Sequence, residues 1–398
     1  MSELHAAKRK MQIVMTLYGA LSVDTRVLRE VGTLLKNGYD ITVLDVDFGE
    51  GKSYIPPGVT SCSVTRISIG KRASMVGLLK FWWACFKGLL SRRRSIDIIH
   101  AHDLTGLPPA FALALLHPRI KLVYDSHELF PELAHSKLSL LHSLVFLGIE
   151  ILCGTCVDRL ISVSPSILRI LSNRIDAPAM LLRNVPDLEQ IKSDLGHIPK
   201  WQGQNKDNMI RIAYPGRVLV QRGYEILLDA AEILRISGRS GFEFWIIGDG
   251  PLLPELTSMV DRRGLEDSFR FLGRVSFGEL LSLMCECDIA IALYENTLNN
   301  NLGISNKLLE YMMVGIPFIF TNLTQSLPIL QEVGAWILEN PVSGEDVASA
   351  ILSLHENSAR MSEISKKGPR LIEDRLNWSK ESERLVKVYR EIHGVESG

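Results

Sequence analysis

The sequence lacks a charge excess of either sign. Its 44 Lys and Arg balance 45 Asp and Glu, for a formal net charge of −1 at pH 7. A nucleic-acid binder carries a strong basic surplus to meet phosphate, so a nucleic-acid partner is not expected. Cysteine is scarce as well. Six in 398 residues form no disulfide framework, and this usage fits a reducing cytoplasm. The close pairs Cys153/Cys156 and Cys285/Cys287 sit in apolar runs with no His or Asp at metal-ligand spacing, which reads them as small core residues. A run long enough to span a bilayer, "LSLLHSLVFLGIEILCGTCV", is interrupted by His142 and Glu150 and reads as a core helix. The opening "KRKMQIVMTLYGALSV" resembles a short signal peptide. The next stretch argues against cleavage: "DTRVLREVGTLLKNGYDITVLDVD" reads as an amphipathic helix, a stop at Gly38 and a second strand, so "QIVMTL" is the first strand of a βαβ unit.

What is present is ordinary globular material: 46% hydrophobic and 22% charged residues, in a chain long enough for two full cores. Short apolar strands alternate with helical patterns: "QIVMTL", "ITVLDV", "IDIIHAH", "KLVYDSH" and "RLISVS". The pattern loosens after Arg183 and restarts with "IRIAYPG", "FEFWIIGDG", "RFLGRV", "DIAIAL" and "PFIFTN". The expected architecture is α/β: a doubly wound Rossmann-like domain over 1–185, a linker over 186–208 and a second such domain over 209–377, facing a cleft. A helix over 378–398 is expected to pack back on the first domain. The segment 74–95, "SMVGLLKFWWACFKGLLSRRRS", joins an apolar, Trp-rich helix to a basic tail. Two readings stay open for it, a seat on an anionic bilayer surface and packing against the sheet. The expected location is cytoplasmic, with peripheral contact at the inner membrane face.

One segment poses a question. "ISNKLLEYMMVGIPFIFTN" reads as a buried helix and a buried strand, with Leu308, Leu309, Met312 and Met313 on one helix face and Gly315 as the stop. Yet it opens on Ser305, Asn306 and Lys307 and carries Glu310 among apolar residues. Glu310 fits no capping box, because Lys307 stands three residues before it, and Lys307 to Glu310 is the less favourable order for a helical ion pair. A solvated carboxylate is one explanation. A ligand is the other: the open N-H groups of a helix start bind phosphate, and a carboxylate one turn inward accepts from ribose hydroxyls. The loop "PGRVLVQRG" adds Gly216, Arg217, Arg222 and Gly223 between a strand and a helix, which suits a diphosphate. "WIIGDGP" adds a tight turn at Gly248 and Gly250 where a ligand can approach the backbone.

These motifs, in order with "FLGRVSFGELLSLMCECDIAIAL" and "SNKLLEYMMVGIPFI", resemble the nucleotide-binding half of family 4 glycosyltransferases of the GT-B fold. "DTRVLREVGTLLKNGYDITVL", "DIIHAHDLTGLP" and "VYDSHELFPE" resemble that family's acceptor half. The resemblance implies a sugar-nucleotide-dependent glycosyltransferase, retaining, with no metal and no cofactor beyond the nucleotide sugar. It implies catalytic roles for His127, facing the donor sugar, for Arg217 and Arg222 on the diphosphate, and for Glu310 on the ribose; Arg222 stands where many members have Lys. It further implies donor contacts from Gly216, Gly248, Gly250, Ser305, Asn306, Lys307 and Leu308, with Arg274 and Val275 near the base. Acceptor or sugar contacts fall to Gly19, His102, Asp103 and Glu128. Many members carry a second Glu eight residues before the position of Glu310; here it is Leu302, with Asn299, Asn300 and Asn301 beside it. Two rival functions stay open, a nucleotide-sugar epimerase on the same fold and a non-catalytic nucleotide-binding scaffold.

Overall fold

The computed structural model describes residues 9–47, 62–68, 75–132, 139–204, 209–237, 241–392 and 394. Ser74 of the Trp-rich segment, 205–208 of the expected linker, and 393 and 395–398 of the expected last helix lie outside these. The chain divides into two compact units, 1–184 with 380–398 and 185–379.

Among the described residues the first unit holds a seven-stranded sheet: β1 (Gln12–Thr16), β2 (Asp40–Asp47), β3 (Ser63–Ser68), β4 (Ile98–His102), β5 (Lys121–Ser126), β6 (Arg159–Ser162) and β7 (Ala179–Leu181). All pair in parallel, in the order β3-β2-β1-β4-β5-β6-β7. β1 is hydrogen-bonded on both sides, as its apolar run requires. The edge strands β3 and β7 escape the apolar-run criterion because an edge strand need not be apolar on both faces, and "SVTRIS" is not.

Helix α1 (Thr25–Lys36) starts where the Asp24 carboxylate accepts from the amides of Arg26 and Val27. It buries Val27, Val31 and Leu34, and also Arg26 and Glu30. On the sheet's other connections lie α2 (Met75–Arg92), α3 (Asp103–Leu116), α4 (Leu140–Gly154) and α5 (Pro165–Ser172). The reading of α4 as a core helix is corrected. Its inward face is Phe146, Glu150, Cys153 and Gly154, while Leu141, Leu144 and Leu152 face outward. Glu150 is inside because it is satisfied there: Tyr124 Oη donates to it at 2.9 Å and Arg174 at 2.7 Å.

The second unit begins at Val185 and takes in the expected linker. Asp187 caps a helix, α6 (Leu188–Leu195), and Trp201 is tied down by hydrogen bonds from its amide to Val314 O (2.9 Å) and from its indole to Cys287 O (2.9 Å). The polar run therefore packs on the second core. The sheet follows: β8 (Ile210–Pro215), β9 (Phe242–Ile247), β10 (Phe269–Phe271), β11 (Ile289–Ala292), β12 (Phe318–Thr321) and β13 (Trp336–Leu338), all parallel, in the order β10-β9-β8-β11-β12-β13. Helices α7 (Tyr224–Ile236) and α8 (Asn306–Val314) bear on the site below. The last helix, α9 (Trp378–Ile392), anchors in the first unit, where Glu381 holds the amide (3.0 Å) and guanidinium (3.1 Å) of Arg183.

In each sheet the winding reverses once, between β1 and β4 and between β8 and β11. Crevices at such reversals, beyond the carboxyl ends of the strands, are where open α/β sheets bind ligands.

Candidate functional site

At the carboxyl end of β8 the backbone turns at Gly216 (φ +116°), whose amide bonds Ile247 O at 2.9 Å. Gly248 (φ +157°) fits against it so closely that a Cβ there would lie 2.0 Å from Gly216 O; a Cβ on Gly250 would lie 2.2 Å from Val218 O. The two turns interlock, and only glycine permits the approach. Across the reversal, Tyr294 follows β11 and its hydroxyl meets Ser305 Oγ at 2.6 Å. Ser305 thus occupies the N-cap position of α8 without capping it. The Leu308 amide bonds Ser305 O at 3.1 Å and the Leu308 side chain is core, so Leu308 offers a ligand nothing; the amides of Asn306 and Lys307 remain at the open helix end.

Two cations converge here. The Arg222 guanidinium stacks on Tyr294 at 4.3 Å, and the Lys307 ammonium lies 5.2 Å from the Tyr214 ring and 5.6 Å from Tyr294. The Lys307 stem covers Gly216. The loop that carries Arg222 is pinned from beneath, its carbonyl accepting from Tyr214 Oη, with Gln221 and Gly223 both left-handed. Arg222 Nη1 is buried with no hydrogen-bond partner among the described residues. Burial, then the charge of Arg222, push the Lys307 ammonium down to about 7, with Glu310 opposing. Burial raises Glu310, which Lys307 partly offsets. Two cationic side chains held together, one with an orphaned donor, suit an anion.

The remaining predicted residues are distributed less tightly. Arg217 follows Gly216 directly but is exposed, and among the described residues its guanidinium makes no hydrogen bond or ion pair. Arg274 is exposed and Val275 half-buried, at the end of edge strand β10, two strands from β8. Leu302 is buried at the end of a short helix, Leu298–Leu302. Asn300 and Asn301 are tied into their own loop, to Glu295 O at 2.8 Å and Thr297 O at 2.9 Å, which leaves Asn299 exposed. Tyr214 and Tyr294 were missed; their signal was an aromatic residue at a strand's carboxyl end.

In the first unit the reversal point gathers a buried charge cluster. His127 lies 3.4 Å from Asp125, 3.5 Å from Asp103 and 3.4 Å from His102. Behind it, Arg26 from α1 pairs with Asp125 (2.8 Å) and Glu30 (3.0 Å), and His100 hydrogen-bonds Tyr389 of α9 at 2.5 Å. Burial opposes protonation of His127, but Asp103 and Asp125 override it and hold the imidazole at about 9. Burial would raise Asp125, yet Arg26 and then His127 drive it well below the carboxylate range. Burial and the neighbouring Asp125 push Glu30 well above it. The expected direct contact from His102 is corrected: its side chain is fully buried and burial pushes its pKa well down, so it reaches a ligand only through His127. Asp103, left-handed at φ 56°, is committed to His127, whose amide it accepts at 2.8 Å. Glu128 is exposed. Gly19 is not sterically required to be glycine, since a Cβ there would meet nothing closer than 3.7 Å. Arg26, Glu30, His100, Asp125 and Tyr389 were missed; a charge or imidazole inside a strand with no exposed face was the legible sign for His100 and Asp125.

Glu30, His100, His102 and Asp125 offer ligand atoms within 4.8 Å of one another, which suits a metal ion by spacing. Arg26 pairs with both carboxylates, while among the described residues Glu30 Oε1 and Oε2, His100 Nε2 and His102 Nε2 are buried without a hydrogen-bond partner.

Two family models match the chain, "Glycosyltransferase Family 4" over residues 23–190 and "Glycosyl transferases group 1" over 210–357. The chain belongs to the family 4 glycosyltransferases. Its relatives include an alpha-D-kanosaminyltransferase of Streptomyces kanamyceticus, 25% identical over 46% of this chain and 45% of the relative. Another is the amylovoran biosynthesis glycosyltransferase AmsK of Erwinia amylovora, 27% identical over 38% of this chain and 37% of the relative. The match thus spans less than half the length of these curated relatives. Among solved structures, the sucrose-phosphate synthase of Thermosynechococcus elongatus superposes with a TM-score of 0.75 at 15% identity, over 97% of this chain and 100% of that one. HepE of Anabaena in complex with UDP and glucose gives 0.69 at 15% identity, over 96% of this chain and 100% of that one. The likeness establishes the GT-B fold, as expected from the sequence.

Proposed function

We propose that this protein transfers a sugar from a nucleoside-diphosphate sugar to a glycan or lipid-linked acceptor, with retention, in polysaccharide or glycoconjugate synthesis. The observation that carries the reading is the pair Arg222 and Lys307, one with an orphaned donor, set over the interlocked glycine turns at the open start of α8. A diphosphate is what this arrangement would accept: it satisfies the orphaned Arg222 nitrogen, restores the ammonium charge of Lys307 and meets the free helix-start amides. In this reading Glu310 takes the ribose hydroxyls, and Arg217, exposed beside the turn, closes on the diphosphate once it is present. That HepE, of the same fold, was solved with UDP and glucose supports this class of donor.

The chemistry follows from charge. As the donor's anomeric carbon becomes positive, the departing nucleoside diphosphate gains negative charge, and cations preorganised at that place stabilise it. Loss of one such donor costs roughly 2.7–4 kcal/mol of barrier. His127, held as imidazolium by Asp103 and Asp125, serves in this reading as a hydrogen-bond donor to the transferred sugar. The nucleotide sugar is the only co-substrate the scheme needs. In this reading the protein works in the cytoplasm, in peripheral contact with the inner membrane face through 74–95.

The test is a panel of nucleoside diphosphates in thermal denaturation. A hundredfold excess over Kd should stabilise the fold by about 2.7 kcal/mol. Glu310→Ala and Arg222→Ala should each remove most of that gain. If neither does, for any nucleotide, the assignment fails. Intact binding with no donor hydrolysis or transfer would favour a non-catalytic scaffold.

A further inference from the structure

The structure assigns a bilayer-docking face to the first unit: the outward sides of α2 and α4, carried together over α3, form one acid-free apolar surface that seats on anionic lipid. The inference deepens the peripheral contact proposed above for 74–95 by adding α4, and it rests on that contact alone, not on the transferase reading.

The connections β3 to β4, β4 to β5 and β5 to β6 advance in one direction across the sheet. Right-handed crossovers therefore put α2, α3 and α4 on one side of it. α3 packs against both of its neighbours. The surface so built is apolar to a degree unusual for a water-facing layer. On α2, Val76 is 63% exposed, Leu79 54% and Trp83 61%. On α4, Leu141 is 69% exposed, Leu144 56% and Leu152 59%. Leu115 and Leu116 at the end of α3 are also exposed.

Charge selects the occupant. α2 contains no acidic residue, and its outward side adds Lys80 and Lys87, with Arg92, Arg93 and Arg94 at its end. Lys87 lies 4.9 Å from the Trp83 ring, the pairing of aromatic and cation that suits the headgroup level. The one acid of α4, Glu150, is turned inward to Arg174 and Tyr124. A second copy of the face would oppose these cations to one another, whereas a layer of anionic headgroups neutralises them and takes the leucines between its chains. Among the described residues no helix is long and apolar enough to cross a membrane, so the two helices lie on it.

The full chain should float with phosphatidylcholine vesicles containing phosphatidylglycerol and much less with phosphatidylcholine alone. Leu144→Asp with Leu152→Asp should weaken that binding about tenfold or more, by removing apolar area from α4 only. Lys80→Glu with Lys87→Glu should abolish the preference for anionic lipid. In the unmodified protein, amide exchange over 140–154 should slow on vesicles. Wild-type binding by the α4 variant, or unchanged exchange there, overturns the shared face. So does a stable dimer in solution that the same substitutions dissociate. Nucleotide-dependent stabilisation, measured in parallel, must persist in these variants to show that they fold. Vesicle binding in a wild-type protein that no nucleotide stabilises would refute the transferase reading and leave this one standing.

Discussion

Lys307 offers a measurement that separates a diphosphate site from a mere cluster of surface cations. In the free protein burial and Arg222 hold its ammonium at about 7, so at pH 8 only about a tenth of the molecules carry the charge. A diphosphate seated between Arg222 and the start of α8 would raise that value by more than two units, because an opposite charge within a few ångströms favours the protonated form. The last ionisation of a phosphate lies near 6 and is complete at pH 8. Binding should therefore take up about 0.9 proton, all of it by the protein. Titration calorimetry with UDP or GDP at pH 8, in buffers of different ionisation enthalpy, reads this number as a slope. Kd should also rise roughly five- to ninefold from pH 8 to pH 9. His127, at about 9, titrates in the same range, so the Lys307→Met variant supplies the control. That variant should bind more weakly, with a flat pH profile and little proton uptake. Equal uptake in the variant, or none in the wild type at measurable affinity, would refute the reasoning.

Further expectations concern the scaffold of the two reversal points. Gly248→Ala forces a side chain to 2.0 Å from Gly216 O at a left-handed φ; it should cost at least 1–3 kcal/mol in urea denaturation and abolish nucleotide stabilisation. Asp125→Asn leaves Arg26 and Glu30 buried with a broken partner set, and about 3–5 kcal/mol of stability should be lost. Tyr389→Phe removes the hydroxyl that meets His100 and should cost about 1–3 kcal/mol, read as a lowered midpoint. The pH dependence has a defined sign. His127 is raised from 6.5 to about 9 on folding, so its contribution is full below pH 6.5 and is lost as pH rises through 9; Asp103→Asn should flatten stability across that window.

The division between what local pattern and three-dimensional packing determine is visible residue by residue. Buried parallel strands must be continuously apolar, so the runs that became β1, β2, β4, β5, β8, β9, β11 and β12 are legible without coordinates. Glycine and proline punctuation placed the Gly216 and Gly248 turns, and the odd polar opening of α8 pointed to Lys307 and Glu310. Those are constraints of chain geometry and solvation, which act over a few neighbours in sequence. The structure alone decided how distant groups combine. Nothing near Arg222 in the chain foretells that it stacks on Tyr294, or that Arg26, Glu30, His100, Asp125 and Tyr389 converge behind His127 from α1, two strands and the last helix. Such contacts depend on sheet order, and many orders share one strand pattern. The same holds for α4: its composition suits a core, and only the pairing of Glu150 with Arg174 and Tyr124 determines that the acid turns in and the leucines turn out.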